Sequence, residues 1–278
     1  MPDQTILMTG AAGGVAQMLR PYLRKHYTLR LSDRTPAPVS LEDGETWVTA
    51  DLTDRAAMPA LVKGVAGVVH LGGHSVEADW DTIKLSNIEG LQSILEGCRA
   101  EGVPRFIFAS SNHAAGFYPR TRRIGVDEAV RPDGFYGVSK AFGEALCSLY
   151  ADKHGLRAMS IRIGNVSERP ADHRRLSIWQ HPEDLAQLIG IGLSHEDVHH
   201  AIVYGMSHNE RAWWDNGTAT ALGYQPKHNA EDHVSYAMAQ QATLPDDRLG
   251  DLFQGGGFAS KGFTGDPERT LSAKLPRP

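Results

Sequence analysis

Tyr136 and Lys140 stand four residues apart in Tyr136-Gly137-Val138-Ser139-Lys140. On a helix that spacing sets both side chains on one face. A free phenol titrates near pH ~10 and is a poor base at neutrality. An ammonium group beside it favours the phenolate and lowers its pKa. A tyrosine tuned in this way can take the proton of an alcohol while the alcohol carbon gives up a hydride. Ser111 lies 25 residues upstream and offers a hydroxyl to hold the reacting oxygen. Taken alone, Tyr136 and Lys140 would be an ordinary exposed helical pair. Their meaning depends on whether the chain also builds a place for a hydride acceptor.

The N-terminal region has that character. The apolar run Ile6-Leu7-Met8 leads into Thr9-Gly10-Ala11-Ala12-Gly13-Gly14-Val15-Ala16, a G-x-x-G-x-x-A spacing. Gly10 permits a tight turn at the strand end, Gly13 lets the backbone approach a pyrophosphate, and Ala16 allows close helix packing. The first N–H groups of the helix, at Gly14 and Val15, face the phosphates. Asp33 follows Gly10 by 23 residues at the end of the next strand. Its carboxylate suits the ribose hydroxyls of NAD and repels a 2′-phosphate, although Arg34 beside it softens that preference. Asp51-Leu52 is placed to meet the adenine. Leu71-Gly72-Gly73 ends the fourth strand where the cofactor passes close. Lys140 also reaches the nicotinamide ribose. The cofactor expected is NAD, and the glycine turn gains weight from its place between a strand and a helix.

The elements that would carry these residues alternate regularly. Strands are read at Ile6–Met8, Leu29–Leu31, Trp47-Val48, Gly67–Leu71, Phe106–Phe108 and Met159–Ile161. Helices are read at Gly14–Lys25, Ala56–Lys63, Thr82–Glu101 and Gly134–His154. Apolar, non-alternating strands between helices indicate an α/β fold, a Rossmann-type doubly wound parallel sheet with helices on both faces. Beyond Gly164 the pattern changes, with a helix at Pro182–Leu193, a strand at Ala201–Tyr204 and a glycine-rich tail whose last ten or so residues are expected to be loosely held. We divide the chain into residues 1–165, an NAD-binding core, and 166–278, a small substrate-binding C-terminal part integrated with it.

Composition narrows the function classes. The 278 residues carry a net charge of −5 with no basic block, which argues against nucleic acid and membrane surfaces as partners. Cys98 and Cys147 lack metal spacing and read as reduced thiols packed on helices. No leader-like segment opens the chain, so a cytoplasmic protein is expected. The 13 histidines, His199-His200 included, lack ligand spacing with a carboxylate or cysteine, and no metal is expected. Trp213-Trp214 reads as packing, with a subunit contact as one place for it, rather than a sugar platform.

TGAAGG, Asp33, Asp51-Leu52, Ser110-Ser111 and YGVSK together resemble the extended short-chain dehydrogenase/reductase superfamily over roughly residues 4 to 165. HLGGHSVE, ASSNHAAGFYP, RPDGFYGVSK, RIGNV, WWDN and FQGGGF extend the resemblance along nearly the whole chain to the uronate dehydrogenases. That resemblance implies NAD-dependent oxidation of a hexuronate, glucuronate or galacturonate, at C1 to the aldarolactone. It implies Tyr136, Lys140 and Ser111 as catalytic groups, and Ser75, Asn112, His113 and Phe258 around the sugar. Arg174 falls at the family's carboxylate-binding position. Its rigid fork suits a carboxylate, but Arg175 beside it is chemically equal, and only the resemblance separates them. Asn165 stands near the nicotinamide where the family has serine. Relatives of this type form homo-oligomers. Two other readings of the same scaffold are a nucleotide-sugar epimerase or dehydratase and a non-catalytic dinucleotide sensor. The first is disfavoured by the roughly 110 residues after Gly164 and by Asn112-His113 where a dehydratase would need acids. The second is disfavoured by the retained Tyr136-Lys140 pair.

Overall fold

The computed structural model describes residues 4–37 and 40–273. Seven parallel strands form one sheet: β1 (Thr5–Thr9), β2 (Thr28–Asp33), β3 (Glu45–Thr49), β4 (Gly67–His70), β5 (Arg105–Ser111), β6 (Arg157–Ile163) and, later in the chain, β9 (His200–Gly205). Their spatial order is β3-β2-β1-β4-β5-β6-β9. The chain winds outward from β1 to β3, then crosses back so that β4 pairs with the other side of β1. The crevice beyond the C-terminal ends of β1 and β4 is thus the switch point at which such sheets bind ligands. A two-stranded piece, β7 (Asn165–Val166) with β8 (Trp179–Gln180), lies beyond β6.

The strands are apolar without alternation because both faces are covered. Ile6 and Met8 point into one buried cluster with Leu19 and Leu23 of α1 (Gly14–Leu23) and Leu185 and Ile189 of α7 (Pro182–Ser194). Leu7 points the other way, into a cluster built by α2 (Met58–Val62), α4 (Gly90–Glu101) and α5 (Phe135–His154). Cys98 and Cys147 are free and buried in that second cluster. The helix read at Thr82–Glu101 is longer and interrupted: α3 (Trp80–Ile83) passes through a π-helical segment, Lys84–Glu89, into α4 (Gly90–Glu101). Next come α5 (Phe135–His154), α6 (Arg175–Ile178) and α7 (Pro182–Ser194).

The part beyond residue 165 supplies sheet as well as cover. β9 pairs along β6 from Ala158↔His200 to Ile163↔Gly205, and α7 packs beside α1. Short helices α8 (Gly217–Ala221), α9 (Val234–Gln241), α10 (Gly257–Ser260) and α11 (Pro267–Ser272) follow. Of the end expected to be loosely held, the residues through 272 lie in α11, and residues 274–278 lie outside the described residues. Trp214 is fully buried, stacked on Tyr204 at 4.6 Å, so it packs the interior. Among the described residues no helix is long and apolar enough to cross a membrane.

Candidate active site

The glycine turn and the end of β4 form a narrow cradle. Gly10 adopts φ +68°, and a Cβ there would lie 2.7 Å from the Gly72 nitrogen and the Leu71 carbonyl carbon. Only a residue without a side chain allows this approach. The Gly72 N–H donates to Thr9 Oγ1 at 3.2 Å, and Thr9 Oγ1 meets His70 Nδ1 at 2.9 Å. Leu52 closes the cradle from below, 2.7 Å from where a Gly72 Cβ would sit. α1 starts after Gly13 with no side-chain cap and no acid in its first turn. Its first N–H groups, those of Gly14 and Val15 among them, have no intrahelical acceptor, and nothing lies within 4 Å of a Gly14 Cβ position. Asp33 Oδ2 accepts from the Ala12 N–H at 3.1 Å and so braces the turn. Asp51 is held low in pKa by the Thr53 N–H and hydroxyl, with Arg34 adding to the effect. Gly73, at φ +127°, brings the backbone against Asn87 of the π-helical segment. An uncapped helix start, a side-chain-free floor and a strand-end carboxylate fit a dinucleotide.

Tyr136 sits in the first turn of α5, which is fixed from two directions. The Glu77 carboxylate accepts from the Phe135 and Tyr136 N–H groups, each at 2.9 Å. Further along the helix, buried Glu144 pairs with Arg162 of β6 at 2.9 Å and accepts from Ser110 at 2.6 Å. Lys140 Nζ donates to the Ala109 carbonyl at 2.9 Å and lies 5.3 Å from the Tyr136 ring centre. Burial pulls the Lys140 ammonium down to about 8. Burial also pushes the Tyr136 phenol up to about 12; a Ser111 hydrogen bond opposes the rise and Asp133 adds to it. The shift of Tyr136 is thus upward, the reverse of what the Tyr136-Lys140 spacing alone predicts. Desolvation of the phenolate outweighs a lysine that faces the ring and spends its hydrogen bond on a carbonyl.

Beside the phenol the chain gathers most of the sugar-side candidates. Ser111 ends β5, and its Oγ accepts from the His113 N–H at 3.2 Å. His113 lies edge-on to Tyr136 at 5.8 Å and flat on Phe258 at 3.9 Å. Asn112, turned to satisfy both ends of its amide, donates to the Ile163 carbonyl at 3.2 Å and accepts from Arg174 at 3.3 Å. Arg174 Nε and an amino group donate to the Gln254 carbonyl at 3.0 and 2.8 Å. Burial holds its pKa down to about 10, helped by Arg120 and Arg175. Arg175 instead is ion-paired to Asp172. No ion pair of Arg174 occurs among the described residues, so the two neighbouring arginines differ in what they have free. Ser75 is exposed in the loop after β4. Asn165, in β7, accepts from Ser167 at 3.2 Å. Neither joins the Tyr136 cluster by a hydrogen bond among the described residues.

Four residues here have no reading in the sequence: Glu77, Asn87, Asp133 and Gln254. Asn87 donates to Ser139 and to the His74 carbonyl, both at 3.0 Å, tying the post-β4 loop to α5. Gln254 accepts from Trp214 Nε1 at 2.9 Å and donates to the Arg122 carbonyl at 2.8 Å. Glu77, Asp133 and Gln254 fall within strings quoted above and Asn87 in none, but no local spacing points to partners so far along the chain. Away from this site His181, Glu183 and His228 draw together with ligand atoms within 4.8 Å. The two imidazoles stack face to face at 3.5 Å, and Glu183 is paired with Lys227 and His228. Stacked rings direct their nitrogen lone pairs side by side rather than toward one point.

Comparison with known proteins gives the family. Residues 6–177 match the NAD dependent epimerase/dehydratase family. The chain is 43% identical to the uronate dehydrogenase of Pseudomonas putida over 94% of its length and 97% of the relative's. It is 42% identical to that of Agrobacterium fabrum, over 91% and 96%. Among solved structures, uronate dehydrogenase from Agrobacterium tumefaciens superposes with a TM-score of 0.87 at 41% identity, covering 92% of this chain and 96% of that one. A tyrosine-to-alanine variant of that enzyme, complexed with NAD, superposes equally well, with a TM-score of 0.87 at 40% identity over 92% and 97%.

Proposed function

Since the chain belongs to the NAD-dependent epimerase/dehydratase family and, within it, to the uronate dehydrogenases, we propose that it oxidises C1 of a hexuronate, glucuronate or galacturonate, to the aldarolactone with NAD. When bound, NAD supplies the electron acceptor and brings the positive charge of an oxidised nicotinamide beside a phenol that burial holds protonated. Gly10, Gly13, Gly14, Val15, Leu71, Gly72 and Gly73 line its path, with Asp33, Arg34, Asp51, Leu52 and Asn165 around it. With the nicotinamide charge and the Lys140 ammonium favouring its phenolate, Tyr136 takes the proton of the C1 hydroxyl as C1 gives up its hydride. Ser111 fixes that oxygen, and Lys140 holds the ribose and the polarity of the site. Ser75, Asn112 and His113 meet the sugar hydroxyls, and Phe258 covers the ring.

The observation that carries the substrate reading is Arg174. Its guanidinium reaches Asn112 of the Tyr136 cluster and has no carboxylate partner among the described residues, whereas Arg175 is already engaged by Asp172. A guanidinium lowered in pKa by burial gains most from an incoming carboxylate. The test is to mix the protein with NAD and either uronate and follow NADH absorbance. NADH should form with a uronate, and Arg174→Ala should lower kcat/KM on it by at least a hundredfold, far more than on the matching neutral aldose. Equal losses on both would remove Arg174 as the anchor. Activity on neutral or nucleotide sugars alone would remove the substrate class.

Self-association is supported by an apolar stripe on α5, where Phe135, Val138, Phe142 and Leu149 are exposed and Trp80 lies edge-on to Phe135. A second copy of the chain would cover it. Light scattering of Phe142→Glu should then report a smaller particle than the parent. The two free, buried thiols are in keeping with a reducing, cytoplasmic setting.

A further inference from the structure

Asp133 sits in the loop before α5 with its side chain wholly buried. One carboxylate oxygen lies 2.7 Å from His113 Nδ1, and the other has no hydrogen-bond partner among the described residues. Two glycines from distant segments press on the same group: a Cβ at Gly116 or at Gly255 would come within 1.9 or 1.8 Å of Asp133 Oδ2. These two segments are themselves joined by the Gly255 N–H donating to the Gly116 carbonyl at 2.8 Å. Burying a carboxylate is costly unless its hydrogen bonds are well made. The fold nonetheless packs this one where a single ring nitrogen can reach it.

From this we infer that Asp133 is a positioning residue of the oxidation site, fixing His113 in the tautomer that carries its proton on Nδ1, so that Nε2 accepts a hydrogen bond from a substrate hydroxyl next to the reacting carbon. A carboxylate takes only a donor, so Nδ1 holds the proton, and the neutral ring then carries its lone pair on Nε2. The ring cannot turn away, because Phe258 stacks on its face and Tyr136 meets it edge-on. Nε2 has no hydrogen-bond partner among the described residues, while the ring stands next to the phenol that takes the C1 proton. Asp133 also raises the phenol pKa through its charge, a second sign that it stands close to the reacting group. Nothing in the reaction itself passes through Asp133.

The inference rests on the uronate reading for the identity of the hydroxyl, and its test separates the two. Asp133→Asn keeps the size of the side chain but presents either an oxygen or an amide N–H to Nδ1, releasing the tautomer. ¹⁵N NMR, with the His113 signals assigned by difference from His113→Ala, should show Nδ1–H in the parent and a mixed state in Asp133→Asn. In the same variant KM for the uronate should rise about tenfold, the size of one hydrogen bond made equally in ground and transition states, with kcat within a factor of ~3 and NAD affinity unchanged. On a His113→Ala background the substitution should add nothing further. An unchanged ring tautomer in Asp133→Asn would overturn the inference. So would a KM penalty that persists in full without His113, or a parallel fall in NAD affinity that marks a general loss of structure. If the parent enzyme ignores uronates, the substrate reading falls, while the ring signals still decide whether Asp133 sets the tautomer.

Discussion

Lys140 makes the most exacting demand of any single residue in the site. Its ammonium is buried, its pKa is drawn down to about 8 from a free value of 10.5, and one carbonyl accepts from it. Below pH ~8 the folded and unfolded chains both carry the proton, so the full cost of burial is present. Between about 8 and 10.5 the unfolded chain binds a proton that the folded chain has released, so stability from this group rises with pH and levels off above that window. Lys140→Met should remove this slope. The gross relief is a few kcal/mol, but the Ala109 carbonyl loses its donor, which returns about 1–3 kcal/mol. A net gain of about 1 kcal/mol at pH 7 is expected in denaturant unfolding, together with loss of turnover. A variant less stable than the parent at pH 7 would show that the lysine holds the fold. Tyr136, Lys140 and Ser111 are legible in the chain because a four-residue helical spacing and a strand end are local facts. The sign of the Tyr136 shift is not, because burial belongs to the assembled site.

Elements place those residues, and the placement depends on contacts between distant segments. Glu77 follows β4 yet closes the start of α5, 58 residues on. It takes the position of an N-cap that Gly134 cannot supply, since a side chain at 134 would strike the Glu77 carboxylate at 2.2 Å. A carboxylate at a helix N-terminus gains both hydrogen bonds and the favourable end of the helix dipole. Glu77→Ala should therefore cost about 1–2 kcal/mol in denaturant unfolding. It should also lower kcat more than NAD affinity, because the freed turn carries Tyr136. Equal losses in both would mean that the loop shapes the cofactor cradle instead. The strands and most helices follow from runs of apolar residues, since the sheet is buried on both faces. The π-helical segment Lys84–Glu89 has no such signature. Its extra residue per turn serves Asn87, which braces His74 and Ser139, and that demand lies outside the helix's own pattern.

At the scale of the whole molecule, the C-terminal segment returns to the opening of the site and gives the string FQGGGF its sense. The Phe253 carbonyl receives Arg120, and the Gln254 side chain spans Trp214 and the carbonyls of Pro119 and Arg122. Gly255 lies on Asp133, and Phe258 reaches the His113 ring. In the bare sequence the glycines read as a loop. The structure makes two of them, Gly255 and Gly256, obligatory close approaches, which no local rule predicts because the partners, Asp133 and Arg174, come from the loops before α5 and α6. Gly256 carries the sharpest consequence. It adopts φ +63°, where side chains are strained, and a Cβ there would stand 2.6 Å from Arg174 Nε. Gly256→Ala should push the guanidinium off the Gln254 carbonyl and away from Asn112 while leaving Tyr136, Lys140 and the cradle untouched. Backbone strain should cost about 1–2 kcal/mol of stability. The functional effect should be selective: KM for the uronate should rise about tenfold or more, while activity on a neutral aldose and NAD affinity stay near the parent values. Steady-state kinetics on the two sugars distinguish this from a general loosening of the segment, which would displace Phe258 as well and weaken both substrates together.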